Sequence, residues 1–124
     1  MITGVVNSTN YPGNYSNNQA KTEAIEVESG KILRLQFTDF QVYVTGTVEN
    51  CTGDHVTVTD GDGTLLMDKS CGFSTYSSTH SYYFKPLVLL TNTNAVRVYF
   101  RNFGGYTNRG WSLNWGAVKP GMKK

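Results

Sequence analysis

The sequence predicts an all-β domain, an antiparallel sandwich of eight or more short strands. Three observations carry this. Apolar residues recur with a period of two through several short segments, the mark of strands with one buried and one wet face. Clusters of Gly, Asn, Asp and Pro punctuate those segments at regular spacing. No apolar pattern of helical period runs longer than a turn, and the many Thr, Val and Tyr with thirteen Gly in 124 residues favour strands over helices.

Met1-Ile2-Thr3-Gly4 leads straight into patterned sequence with no visible signal peptide, so the chain reads as a mature domain given an initiator Met. Residues 7–18, dense in Asn, Ser, Gly and Pro, read as turns. Ala24-Ile25-Glu26-Val27-Glu28 alternates as a short strand closed by Ser29-Gly30. In the longer strand that follows, Leu33, Leu35 and Phe37 oppose Arg34, Gln36 and Thr38. Residues 43–53 form a Thr- and Gly-rich loop. Val56 and Val58 then alternate with His55, Thr57 and Thr59, and Asp60-Gly61-Asp62-Gly63 is a hairpin turn returning through Leu65-Leu66-Met67. Residues 73–83 are polar and Tyr-rich, and 87–90 is a short apolar run expected to be a buried strand. Val96, Val98 and Phe100 alternate with Arg97, Tyr99 and Arg101, residues 102–108 are a Gly-rich loop, and Trp111, Leu113 and Trp115 share the core face of the last strand.

Composition excludes several classes. One domain's worth of chain is present, 1–118, followed by a disordered basic tail at 119–124. No run of about twenty apolar residues exists to insert into a membrane, and a net charge of +2 does not argue for nucleic acid. Three sequons, at Asn7, Asn14 and Asn50, beside a candidate disulfide pair, point to a secreted or cell-surface protein.

Taken in order, four motifs resemble the CUB domain, an extracellular jelly-roll-like β-sandwich. They are Gly4 to Tyr15 with its Tyr11-Pro12, the strand Ile32 to Phe40, the stretch Cys51 to Gly61 with Cys71-Gly72, and the closing pair Val96 to Phe100 and Gly110 to Trp115. The resemblance implies that Cys51 and Cys71 form the family's second disulfide. The first is absent: Lys21 stands where its second cysteine would fall, and Glu23 stands where the family often has a buried Trp. The segment between Cys71 and Val96 is longer than usual for the family, which implies an extended loop or extra hairpin.

Many CUB domains bind calcium at one end of the sandwich through three acidic residues. The resemblance places these at Tyr43, Asp54 and about Phe103, so only Asp54 keeps a carboxylate, and Arg101 adds a positive charge nearby. Calcium needs six to eight oxygens, several of them charged. The expectation is therefore no metal and no cofactor, with Asp54 bonded to backbone amides or to the Tyr43 hydroxyl. Glu49, Asp39 or Asn102 would have to re-supply oxygens for a rearranged calcium site.

No catalytic constellation accompanies these motifs. His55 and His80 have no matching nucleophile and read as surface residues, and Ser occurs in no nucleophile-elbow context. The aromatic and basic loops are the binding candidates: Arg101, Phe103, Tyr106 and Arg109, with Tyr82 and Tyr83. Exposed Tyr near Arg suits protein contacts and sugar stacking. The expected function is a non-catalytic extracellular module that binds a protein partner through its end loops without calcium. The alternatives are a secreted lectin-like, glycan-binding protein of the spermadhesin kind and a calcium-dependent adhesion module with rearranged ligands.

Overall fold

A computed structural model describes residues 2–45, 50–73, 88–103 and 107–121. Among them are nine strands: β1 (Thr3–Asn7), β2 (Ala20–Glu26), β3 (Ile32–Val42), β4 (His55–Asp60), β5 (Leu65–Ser70), β6 (Gly72–Phe73), β7 (Val88–Leu90), β8 (Ala95–Arg101) and β9 (Gly110–Val118). They form two antiparallel sheets. One runs β1-β9-β3, with β6 and β7 both pairing β3; the other runs β2-β8-β4-β5.

The alternating residues fill the space between the sheets. Leu33, Leu35, Val56, Val58, Val98 and Leu113 are fully buried. Phe37 and Phe40 are three residues apart and would face opposite sides of a regular strand. A bulge between Phe37 and Asp39 turns both inward. Their rings meet edge to face at 5.2 Å, and Phe37 meets Trp111 at 6.0 Å. Cys51 and Cys71 form a disulfide that joins the loop before β4 to the chain leaving β5.

The expected hairpin is present. Gly63 takes φ +93°, the left-handed conformation that glycine adopts without strain. The buried Asp60 carboxylate at its base accepts from the Gly61 N–H (2.7 Å), the Asn92 N–H (2.6 Å) and the Thr93 hydroxyl (2.6 Å). This ties the β4–β5 turn to the β7–β8 turn, and three donors compensate a charge with no water contact.

Several expectations need correction. β2 begins at Ala20 rather than Ala24, because residues 20–23 find partners on β8. β5 extends to Ser70 and β9 runs from Gly110 to Val118. His55 is buried rather than on the surface, its Nδ1 bonded to the Gly53 carbonyl at 2.9 Å. Trp115 faces inward but is only half-buried, lying over Gly4 on edge strand β1. β7 is not a buried strand: it pairs β3 at the edge of its sheet, and Val88 is 40% exposed. His80 and residues 74–87, where the extra hairpin was expected, lie outside the described residues.

Candidate functional site

Asp54 sits at the head of β4, 4% exposed, and both of its oxygens have protein donors. The Tyr15 hydroxyl donates to Oδ2 at 2.7 Å, and the Phe103 N–H donates to Oδ1 at 3.1 Å. Tyr15 in turn accepts the Tyr43 N–H at 3.0 Å. Burial first, and then the bond to Asp54, push the Tyr15 phenol far above its usual pKa, so it is a fixed donor. The Tyr15 ring packs edge-on against Phe100 at 4.9 Å, which holds its hydroxyl in place.

The loop after β8 is stitched to the N-terminal turns. Asn102 is fully buried; its Oδ1 accepts the Gln19 N–H at 2.8 Å and its Nδ2 donates to the Ser16 carbonyl. Asn102 and Gln19 also exchange both backbone hydrogen bonds. Asp54 holds the Phe103 amide, and Phe103 is 49% exposed. The Arg101 guanidinium lies 4.3 Å from the centre of that ring, a cation–π stack at the rim of the sandwich. Arg101 also donates to the Asn102 carbonyl at 3.0 Å.

A second polar cluster lies on Asp39. Arg109 grips it with two hydrogen bonds, Nε to Oδ2 at 2.7 Å and Nη2 to Oδ1 at 3.0 Å, while the Tyr11 hydroxyl donates at 2.5 Å. Burial opposes the charge on Asp39. The bonds from Arg109, Tyr11 and Gln41 outweigh that burial and hold the carboxyl below its ordinary pKa. The same pair raises Arg109, chiefly through its bond to Asp39.

The three positions assigned to calcium ligands do converge, but two of them supply donors. Tyr43 and Phe103 present N–H groups to the oxygens of Tyr15 and Asp54, the opposite of what a cation needs. Neither described substitute compensates: Asp39 is gripped by Arg109, and the Asn102 oxygen is taken by Gln19. Glu49 lies outside the described residues, among which no three His, Cys, Asp or Glu groups gather as metal ligands. Among the described residues, this donor set does not fit calcium. Of the two partners expected for Asp54, a backbone amide is present, that of Phe103, while the hydroxyl is that of Tyr15 and not of Tyr43.

Of the binding candidates, the structure brings Arg101 and Phe103 together and ties Arg109 to Asp39 instead. Tyr82, Tyr83 and Tyr106 lie outside the described residues. The sequon asparagines Asn7, Asn14 and Asn50 are all exposed, although Asn7 Oδ1 accepts the Ser112 hydroxyl at 2.6 Å. Sequence reading missed Tyr15 and Tyr11 as site residues. The only local hint was the spaced tyrosines of the opening motif, since their partners lie 39 and 28 positions away.

A scan against family models matches the CUB domain over residues 2–115. The chain belongs to the CUB domain family, whose members are protein-interaction modules of extracellular proteins. It is 25% identical to rat cubilin over 94% of its own length and 3% of cubilin's. It is 32% identical to the astacin-like metalloendopeptidase of Gallus gallus, over 94% of the chain and 26% of the enzyme. The chain thus spans a small part of these relatives.

Among solved structures, it resembles the CUB1-EGF-CUB2 region of human MASP-1/3 with a TM-score of 0.77 and 24% identity. That match covers 94% of this chain and 42% of the other. It also resembles the MASP-1 CUB2 domain bound to Ca2+, with a TM-score of 0.71 and 24% identity, covering 91% and 90%.

Proposed function

We propose that this chain is a non-catalytic recognition domain of a secreted protein that binds a protein partner through the end of the sandwich, without calcium. The observation that carries this reading is the pinning of Phe103. Asp54 uses its carboxylate to hold the Phe103 amide, and the result is an exposed aromatic ring stacked under Arg101. Arg and aromatic residues are the side chains that most often dominate binding energy at protein interfaces. Tyr15 and Asp54 supply from the protein the order that a metal would otherwise impose on these loops.

The test has two readouts. Melting of the chain in millimolar calcium and in a chelator should coincide; a calcium-dependent rise of several degrees would instead support a calcium-dependent adhesion module with rearranged ligands. On an array of extracellular protein domains, partners captured by the chain should be lost on Phe103→Ala and Arg101→Ala. Capture that survives both substitutions would move the site elsewhere. Secretion is checked by expression through a secretory pathway, with an endoglycosidase-sensitive mass on Asn7, Asn14 or Asn50.

A further inference from the structure

The outward face of β8 carries a row that reaches beyond the end loops. Val96, Val98 and Phe100 point into the core, so Arg97, Tyr99 and Arg101 point out, and Phe103 continues the row beneath Arg101. Cation and aromatic alternate through these four residues. The spacing of a strand puts successive members about 6.8 Å apart and the two arginines about 14 Å apart.

Five of the six residues that flank the row are Ala or Thr. On β2, the residues facing Arg101, Tyr99 and Arg97 are Ala20, Thr22 and Ala24. On β4, they are His55, Thr57 and Thr59. None carries a carboxylate, and among the described residues neither Arg97 nor Arg101 has a carboxylate partner. The outward carboxylate of β2, Glu26, faces Ala95, one outward pair beyond Arg97. Asp68 stands on β5, two strands from the row, beside Lys69.

Because β8 is paired on both sides, a ligand cannot add to it as a strand and must be held by side chains alone. We propose that this ridge binds a linear sulfated polysaccharide: the guanidinium groups of Arg97 and Arg101 take sulfates, and sugar rings stack on Tyr99 and Phe103. Short flanks favour this ligand over a protein segment. Protein hot spots are ringed by bulky neighbours that exclude water, whereas only His55, buried beside Arg101, is large among the six residues flanking this row. Arg101 and Phe103 are shared with the end-loop surface, but Arg97 and Tyr99 are not, so variants at those two positions test this inference separately.

The experiment is binding of the full chain to immobilised heparin in chelator, at low and raised salt. Binding should weaken steeply with salt, as screened charge contacts do. Arg97→Ala and Tyr99→Ala should each weaken it about tenfold, the size expected for one lost charged or stacking contact. Lys119→Ala, an exposed charge outside the row, should leave it unchanged. Absence of heparin binding at low salt, equal loss on Lys119→Ala, or equal binding of desulfated heparin would overturn the proposal. Equal competition by polyglutamate would also overturn it, in favour of an acidic protein segment.

Discussion

The Tyr15 hydroxyl reaches the Asp54 carboxylate at 2.7 Å across 39 positions of sequence, and both side chains are shut away from water. Tyr15→Phe removes one oxygen that serves two partners, as donor to Asp54 Oδ2 and as acceptor of the Tyr43 N–H. The expected cost is about 1–3 kcal/mol, the penalty of buried polar groups left unpaired. It is read as a lower urea midpoint at constant slope; an unchanged midpoint would mean that water replaces the hydroxyl at no cost.

The same residue sets an alkaline limit. Its folded pKa is raised above the unfolded value of about 10, so the contribution is intact below pH 10. Above that, the unfolded chain releases the proton while the folded one holds it, and stability falls as pH rises. Melting temperature measured from about pH 9 to 11 should decline more steeply for the native sequence than for Tyr15→Phe. Parallel curves would assign the alkaline loss to other groups.

Asp39 acts at the other end of the scale. Its folded pKa is lowered, so its contribution is present above the unfolded value of about 4 and disappears as pH falls through the folded value. The Arg109 side chain is 43% exposed, so solvent screening limits the ion pair to less than about 1 kcal/mol. Asp39→Asn should therefore be modestly less stable at neutral pH and flatter on acidification from about pH 5 to 2, followed by chemical denaturation. An identical acid slope would count against the pair.

Cys51→Ser opens a loop of 20 residues, which on the chain-entropy model costs about 3 kcal/mol. The melting temperature should fall clearly under non-reducing conditions, and a reductant should bring the native chain to the level of the variant. Coincident melting of the two oxidised proteins would show that the bridge constrains little.

Two glycines separate strain from collision. Gly63 and Gly110 have nearly the same positive φ, 93° and 91°. A Cβ on Gly63 meets nothing within 4 Å, whereas on Gly110 it would lie 1.9 Å from the Ser8 hydroxyl oxygen that accepts the Trp111 N–H. Gly63→Ala should cost about 1–2 kcal/mol from backbone strain alone, and Gly110→Ala about 3 kcal/mol or more. Equal losses would mean that Ser8 moves aside freely.

The core strands were legible because burial imposes a period of two on residues 33–37, 56–59 and 96–100, and both sides of that pattern survive in the chain. Edge effects were not. Trp115 keeps the phase of Trp111 but meets only glycine on β1, so the same alternation yields half the burial. Lys21 and Glu23 stand on core-phase positions of edge strand β2, where an ion pair at 3.2 Å takes the place of apolar packing. That positions 43, 54 and 103 meet at one end of the sandwich was legible in the motifs. The hydroxyl that completes Asp54 was not, because the partners are joined by topology and leave no local spacing to read.

Asp54 and Asp60 bracket β4, and each carries donors from loops on other strands. Sliding β4 by one residue would turn its core face outward and would also pull both carboxylates off their donors at once. The strand behaves as a bolt fastened at both ends. Loop residues such as Phe103 can therefore be exchanged for new binding chemistry without loosening the register of the sheet beneath them.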